Sequence, residues 1–234
     1  MTKFFKNLYR LISIGTPFFI ILNYIKNFLP NYKSKRKSVL IEKKLYSDFN
    51  SFDQNKKWFC NNLYYLNNHL NNLENITNIL EIGSYEGRSA VFFLKIFSNS
   101  KITCVDTWSG SDEHLNQNFD IIESFFDKNT RNYRINKRLI KIKDSSDNFF
   151  YNNSQKFDLI FVDGDHSSEQ VKKDLYNSWK ILNNGGYLIL DDYLWWYYKN
   201  LKENPSTPIN SFIEQNRADI NNLNIWQQVI IQKG

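Results

Sequence analysis

Four short apolar runs in this chain each close on a carboxylate, and that recurrence restricts the fold more than any other feature. Thr77–Ile82 runs into Glu81-Ile82-Gly83, and Lys101–Asp106 ends on Asp106. Phe157–Asp163 leads into Asp163-Gly164-Asp165, and Tyr187–Asp191 into Asp191-Asp192. The runs have strand length, and segments with apolar residues at helical spacing separate them. Gly87–Phe97, roughly Leu115–Asn129, and Ser168–Leu182 read as such helices, the last followed by Gly185-Gly186. Leu139–Ile142 and Trp226–Gln232 read as further strands, and Phe52–Leu73 and Ile209–Asn216 as flanking helices. Strands alternating with helices imply parallel βαβ units with helices on both faces and no internal repeat. Ligands of such sheets sit beyond the carboxyl ends of the strands, where the four acidic ends would converge.

The first of these ends carries two glycines, in Gly83-Ser84-Tyr85-Glu86-Gly87. Glycine lets the backbone turn sharply and approach a ligand closely. The spacing is G-x-x-x-G, whereas a dinucleotide site prefers G-x-G-x-x-G with a pyrophosphate on the helix N-terminus, so a dehydrogenase is disfavoured. Glu81 would repel a pyrophosphate but suits a cationic or amine-bearing ligand. Asp106, at the end of the second strand, has the position of an acid that accepts both hydrogen bonds of a ribose diol. A ligand with a sulfonium, an amine and a ribose but no phosphate meets these demands, and S-adenosylmethionine is one.

Adjacent parallel strands would bring Asp163, Asp191 and Asp192 together. Close carboxylates repel one another unless some protonate or a cation joins them. Hard oxygen donors suit Mg²⁺, and a divalent cation lowers the pKa of a bound hydroxyl. Asp165 and His166 follow directly. They read either as groups at the reacting centre or as a helix cap and a solvated histidine. Tyr193–Tyr198 (YLWWYY) is a stacking platform, core, or a surface for a partner.

The segments ILEIGSYEGRSAVFFL, ITCVDTW and FDLIFVDGDHSSEQVKKDLYNSWKILNNGGYLILDDYLW resemble the class I S-adenosylmethionine-dependent methyltransferases of the methyltransferase 24 type. The resemblance spans about residues 77–198, and IWQQVIIQK resembles the family's last strand. It implies a Rossmann-like, doubly wound, mostly parallel seven-stranded sheet with an antiparallel last strand. It also implies that Gly83, Ser84, Tyr85, Gly87 and Ser89 line the methionine portion of the cofactor, with Glu81 and Asp163 nearby. Asp106 would hold the ribose, with Thr107, Trp108, Asp144 and Ser145 on the adenine side. The family often has glycine where this chain has Lys143. Metal-dependent sugar O-methyltransferases of similar pattern place Mg²⁺ ligands at positions matching Asp163, Asp191 and Asp192, with Asp165 or His166 as general base. The expected activity is Mg²⁺-assisted O-methylation of a hydroxyl on a sugar, glycan or lipid-linked saccharide. The alternatives are a metal-independent N- or O-methyltransferase and a non-methylating relative of the same fold. His69 is expected to be exposed, and His114 reads either as a loop residue without a role at the site or as one that faces the substrate.

Charge divides the chain. It carries 30 Lys/Arg against 24 Asp/Glu, a net charge of +6, yet residues 1–40 hold eight basic groups and no acid. Residues 41–234 therefore carry 22 basic and 24 acidic groups, which disfavours a nucleic-acid partner. The expected organisation is a basic, apolar arm over residues 1–40 and a catalytic domain over residues 41–234. Within the arm, Leu11–Leu22 is nearly all apolar but short for a bilayer span and is broken by Thr16-Pro17. It reads as an interfacial anchor at the inner face of a membrane, contacting lipid through residues 1–37, or as a helix packed on the domain or on a second copy. Two cysteines without metal-ligand spacing, Cys60 and Cys104, fit a cytoplasmic, reducing compartment.

Overall fold

The computed structural model describes residues 2–32, 34–49, 51–53, 58–110 and 117–234. Its centre is one seven-stranded sheet in the order β3-β2-β1-β4-β5-β7-β6. The strands are β1 (Asn78–Ile82), β2 (Lys101–Asp106), β3 (Leu139–Lys143), β4 (Phe157–Val162), β5 (Leu182–Leu190), β6 (Ile220–Ile225) and β7 (Val229–Lys233). The first five are parallel; β7 runs antiparallel to both β5 and β6. The four acid-ended strands are thus four neighbours, and the order reverses between β1 and β4.

Helices cover the sheet because its strands are apolar on both faces. Leu80, Ile102, Leu159, Ile160 and Phe161 are completely buried. α5 (Arg88–Ile96), α6 (Phe119–Ile135), α7 (Ser146–Asn152), α8 (Ser168–Ile181) and α9 (Ser206–Gln215) follow or precede the strands. Asn118, Ser145 and Ser167 cap α6, α7 and α8 by accepting the backbone N–H three residues on. Ahead of β1 lie α1 (Thr2–Ser13), α2 (Phe18–Tyr32), α3 (Lys35–Tyr46) and α4 (Leu63–Leu70).

Several expectations need adjustment. The helix expected from Phe52 begins as a 3₁₀ turn at Phe59 and becomes α-helical only at Leu63. Phe52 and Asp53 are held elsewhere: Arg88 lies over the Phe52 ring, and Asp53 N donates to Glu86 Oε2. The helix expected near Leu115 starts at Phe119 and runs on to Ile135. Gly185-Gly186 lie inside β5, which pairs irregularly with β4 there. The run Leu11–Leu22 is split by the turn at Gly15–Pro17 into two helices, and no helix among the described residues is long and apolar enough to cross a membrane.

At the end of the sheet away from the acidic ends, Asp158 ties β4 to its neighbours. It accepts from Thr77 N (3.0 Å), Thr77 Oγ1 (2.8 Å), Asn78 N (2.9 Å) and Asn183 Nδ2 (2.8 Å). Partial burial works against its charged form, but these hydrogen bonds outweigh it and hold the carboxyl below its ordinary value. Its contribution is therefore present above the usual carboxylate range and is lost as pH falls through the depressed value. Asp158→Ala should cost about 1–2 kcal/mol at neutral pH, the low end for a charged acceptor at a solvated site. Denaturant melts should show this gap closing under acid conditions; a gap constant with pH would contradict the assignment.

Candidate active site

The β1–α5 loop must pass against the end of β4. Gly83 has φ 82°, and a Cβ there would lie 2.0 Å from the Asp163 carbonyl oxygen, so no other residue fits without moving the strand. Gly87, at φ 85°, starts α5 with Phe126 and Thr130 both 3.1 Å from where its Cβ would stand. Between them Tyr85 adopts φ 47°, and Trp108 and Asp192 are also left-handed, at 47° and 52°. All three line the same cavity. Such conformations persist only where surrounding structure imposes them, and they gather at working sites.

Asp106 supplies much of that constraint. Its Oδ2 accepts from Ser84 N and Tyr85 N, both at 2.8 Å, and its Oδ1 from Trp108 N at 2.7 Å. The Trp108 indole in turn donates to Tyr85 O at 2.9 Å and packs on Phe126. Beneath the loop, Glu81 is completely buried and outside the cavity lining; its Oε2 accepts from Ser84 Oγ at 2.6 Å. Glu86 and Arg88 form a buried ion pair at 2.6 Å that fastens the loop to Asp53 through Asp53 N and Asp53 O.

One cavity of about 790 Å³ runs over these strand ends. At one side it meets Ser84, Tyr85, Ser89, Asp106, Thr107 and Trp108, then Asp144 and Ser145. Asp144 Oδ1 accepts from Ser145 N (2.7 Å) and Asn148 Nδ2 (2.9 Å). Lys143 points instead to Glu123, at 2.6 Å.

At its other side stand Asp163, Asp165, His166, Asp191 and Asp192. Asp191 N donates to Val162 O, which sets the end of β5 beside β4. His166 Nε2 lies 2.9 Å from Asp192 Oδ2 and 3.6 Å from Asp163 Oδ1. Asp163, His166 and Asp192 each offer a donor atom, all within 4.8 Å of one another. Asp191 lines the cavity beside them: desolvation, then the charges of Asp163 and Asp192, push its carboxyl well above the ordinary value. The three expected carboxylates do converge, but the atoms that one cation could share come from Asp163, Asp192 and His166. Asp165 spends Oδ1 on Ser167 N at 2.6 Å and is otherwise exposed.

The aromatic string divides. Tyr193 is core, fully buried, and its hydroxyl donates to Asn210 at 2.7 Å. Trp195 and Tyr197 line the cavity, stacked at 5.0 Å and 19°, with Trp195 4.9 Å from the His166 ring. Trp58, Asn61, Asn62, Gln117 and Gln227 also line it, and no motif marked them. His69 hydrogen-bonds Tyr65 O and takes no part; His114 lies outside the described residues.

Desolvation raises the Glu81 carboxyl to about 7, against opposing hydrogen bonds from Ser84, Ser89 and Cys104. A carboxyl raised on folding contributes stability that is full below its unfolded value and is lost as pH rises through about 7. Glu81→Gln keeps an acceptor for Ser84 and removes the titration. The ligand-free variant should gain on the parent by up to about 3 kcal/mol between pH 5 and 8 in thermal melts; parallel pH profiles would contradict this.

A family model described as a methyltransferase domain matches residues 80–193. An uncharacterised protein of Acanthamoeba polyphaga mimivirus is 28% identical over 138 residues, which are 53% of this chain and 59% of that protein. The chain thus spans well under two thirds of the length of that relative. Among solved structures, a candidate caffeoyl-CoA O-methyltransferase from Staphylococcus aureus has a TM-score of 0.55 at 18% identity, covering 86% of this chain and 99% of that one. The MycE methyltransferase of the mycinamycin biosynthetic pathway, in complex with Mg, SAH and mycinamycin VI, has a TM-score of 0.58 at 15% identity. That match covers 91% of this chain and 62% of MycE. At these identities the solved structures speak for the fold alone, while the matched family agrees with the glycine loop and acidic strand ends described above. Residues 80–193 thus match a methyltransferase domain, carried on a fold that this chain shares with solved O-methyltransferases.

Proposed function

We propose that this methyltransferase moves a methyl group from S-adenosylmethionine to a hydroxyl of a sugar or glycan, with a divalent cation, Mg²⁺ by preference, held by Asp163, His166 and Asp192. The observation that carries the reading is the pairing of that donor group with the stacked Trp195–Tyr197 platform, on the side of the cavity facing the cofactor loop. The donor set fits a cation on its own terms. Two carboxylates and an imidazole converge, and desolvation together with the charges of Asp163 and Asp192 raises the Asp191 carboxyl beside them. The MycE complex, which holds Mg and a macrolide, has the same fold and supports the reading by analogy.

The cofactor would lie with its methionine end on Gly83, Ser84, Tyr85, Gly87 and Ser89, and its ribose toward Asp106. Its adenine would lie toward Thr107, Trp108, Asp144 and Ser145. Glu81 acts through Ser84, and its buried carboxyl favours a cationic ligand above. Flat aromatic faces suit the C–H face of a sugar ring, and Trp195 and Tyr197 would hold the acceptor beside His166. A bound cation supplies Lewis acidity that lowers the acceptor hydroxyl's pKa. Asp165, with one oxygen engaged by Ser167 N, offers the other to the departing hydroxyl proton. The acceptor oxygen bonds the methyl carbon as the carbon–sulfur bond breaks, leaving a neutral thioether.

S-adenosylhomocysteine should bind in calorimetry; no heat at near-millimolar ligand would sink the cofactor assignment. Methyl transfer to glycan acceptors should fall about 100-fold or more with chelator or in Asp192→Ala, the scale of a cation's several kcal/mol. It should return when Mg²⁺ is restored to the parent only. An unchanged rate in chelator would leave positioning and a base alone to do the work.

A further inference from the structure

The two helices ahead of the domain carry an apolar surface that the fold leaves uncovered. Their inner faces are well fixed. Leu11, Ile20 and Tyr24 are at most 1% exposed, and Tyr24 stacks on Trp226 at 5.9 Å. Asn23 bridges to β6, donating to Leu223 O and accepting from Ile225 N, both at 2.8 Å. Thr16, in the turn between the helices, accepts from Asn210 of α9. The arm is therefore held as part of the domain.

The outer faces are the opposite of what water favours. On α2, Phe18, Leu22, Ile25, Leu29 and Tyr32 are 39–72% exposed. Their spacing of four, three, four and three residues makes one stripe along the helix. On α1, Phe5, Tyr9 and Ile12 repeat the pattern. These two helices hold eight of the sixteen large hydrophobic residues that stand exposed among the described residues. Scattered apolar residues are ordinary on a surface, but a concentration of this kind marks an interaction site. Lys3, Lys6 and Lys26 are exposed on the same two helices, and no acid occurs before Glu42.

We propose that α1 and α2 lie in the plane of an anionic phospholipid bilayer, with the apolar stripes at the headgroup–acyl boundary and the lysines on the headgroups. Charge selects this occupant. A second copy docking on the same stripe would set basic rows against basic rows, whereas an anionic surface neutralises them. The helices are too short and too one-sided to span, which suits interfacial binding. Arg10 of α1 lies over the Trp196 ring at 5.3 Å, and Trp196 adjoins Trp195 in the cavity wall.

Flotation of the full chain with vesicles tests this without reference to activity. The protein should float with phosphatidylcholine vesicles containing about 30% phosphatidylserine and stay behind with neutral ones, and high salt should release it. The double variant Leu22→Asn/Leu29→Asn should lower partitioning about tenfold or more. Lys3→Gln/Lys6→Gln/Lys26→Gln should do the same at about 1 kcal/mol per charge, or roughly 100-fold in all. All these positions are exposed, and the melting temperature checks that the variants stay folded. Three results would overturn the proposal: no flotation on anionic vesicles, equal flotation on neutral ones, or a dimer in light scattering that Leu22→Asn/Leu29→Asn dissolves.

Discussion

The site depends on how closely the end of β1 approaches the end of β4. Gly83 lies against the Asp163 backbone with no room for a side chain. That contact sits where the strand order reverses, between β1 and β4. Because the two strands end together, the glycine loop on one and the carboxylates beyond the other open into a single cavity. Everything downstream is placement relative to this point. Asp106, one strand to one side, fixes the loop through the backbone N–H groups of Ser84 and Tyr85. Asp191 and Asp192, one strand to the other, complete the acidic group.

The acids of the sheet fall into two electrostatic classes. Asp158 and Asp106 are satisfied by backbone donors. Asp158 is accordingly held below its ordinary value and serves the fold. Glu81 and Asp191 are raised because desolvation outweighs the hydrogen bonds they accept. A fold that only needed stability would gain by replacing such groups with apolar ones. Their presence makes sense where a sulfonium or a divalent cation completes them, and both lie at the same end of the sheet.

Much of this was legible in the sequence because the signals were periodic or obligatory. The parallel strands were continuous apolar runs, and Lys101–Asp106 has the same limits in the structure. The glycines at 83 and 87 announced a turn that only glycine can make. β6 escaped notice since Ile220–Ile225 (INNLNI) is Asn-rich and pairs only at the sheet edge. The start of the helix before β1 was misplaced because apolar spacing cannot reveal that Phe52 is held by Arg88. His166 was legible as a site residue but its company was not. Only the left-handed turn at Asp192 and the loop after β4 bring imidazole and carboxylates together. Cavity residues from distant segments, such as Asn61, Asn62 and Gln227, carry no local pattern and become visible only in three dimensions.

The proposed function puts a cationic methyl donor and a divalent cation side by side in one cavity. Anomalous diffraction from crystals grown with S-adenosylhomocysteine and Mn²⁺ tests it most directly. A single strong peak is expected within coordination distance of Asp163, His166 and Asp192, with the thioether sulfur near the Gly83–Gly87 loop and facing that peak across the acceptor space. Ligand density in the cavity without a peak at those three side chains, or a peak elsewhere, would contradict it.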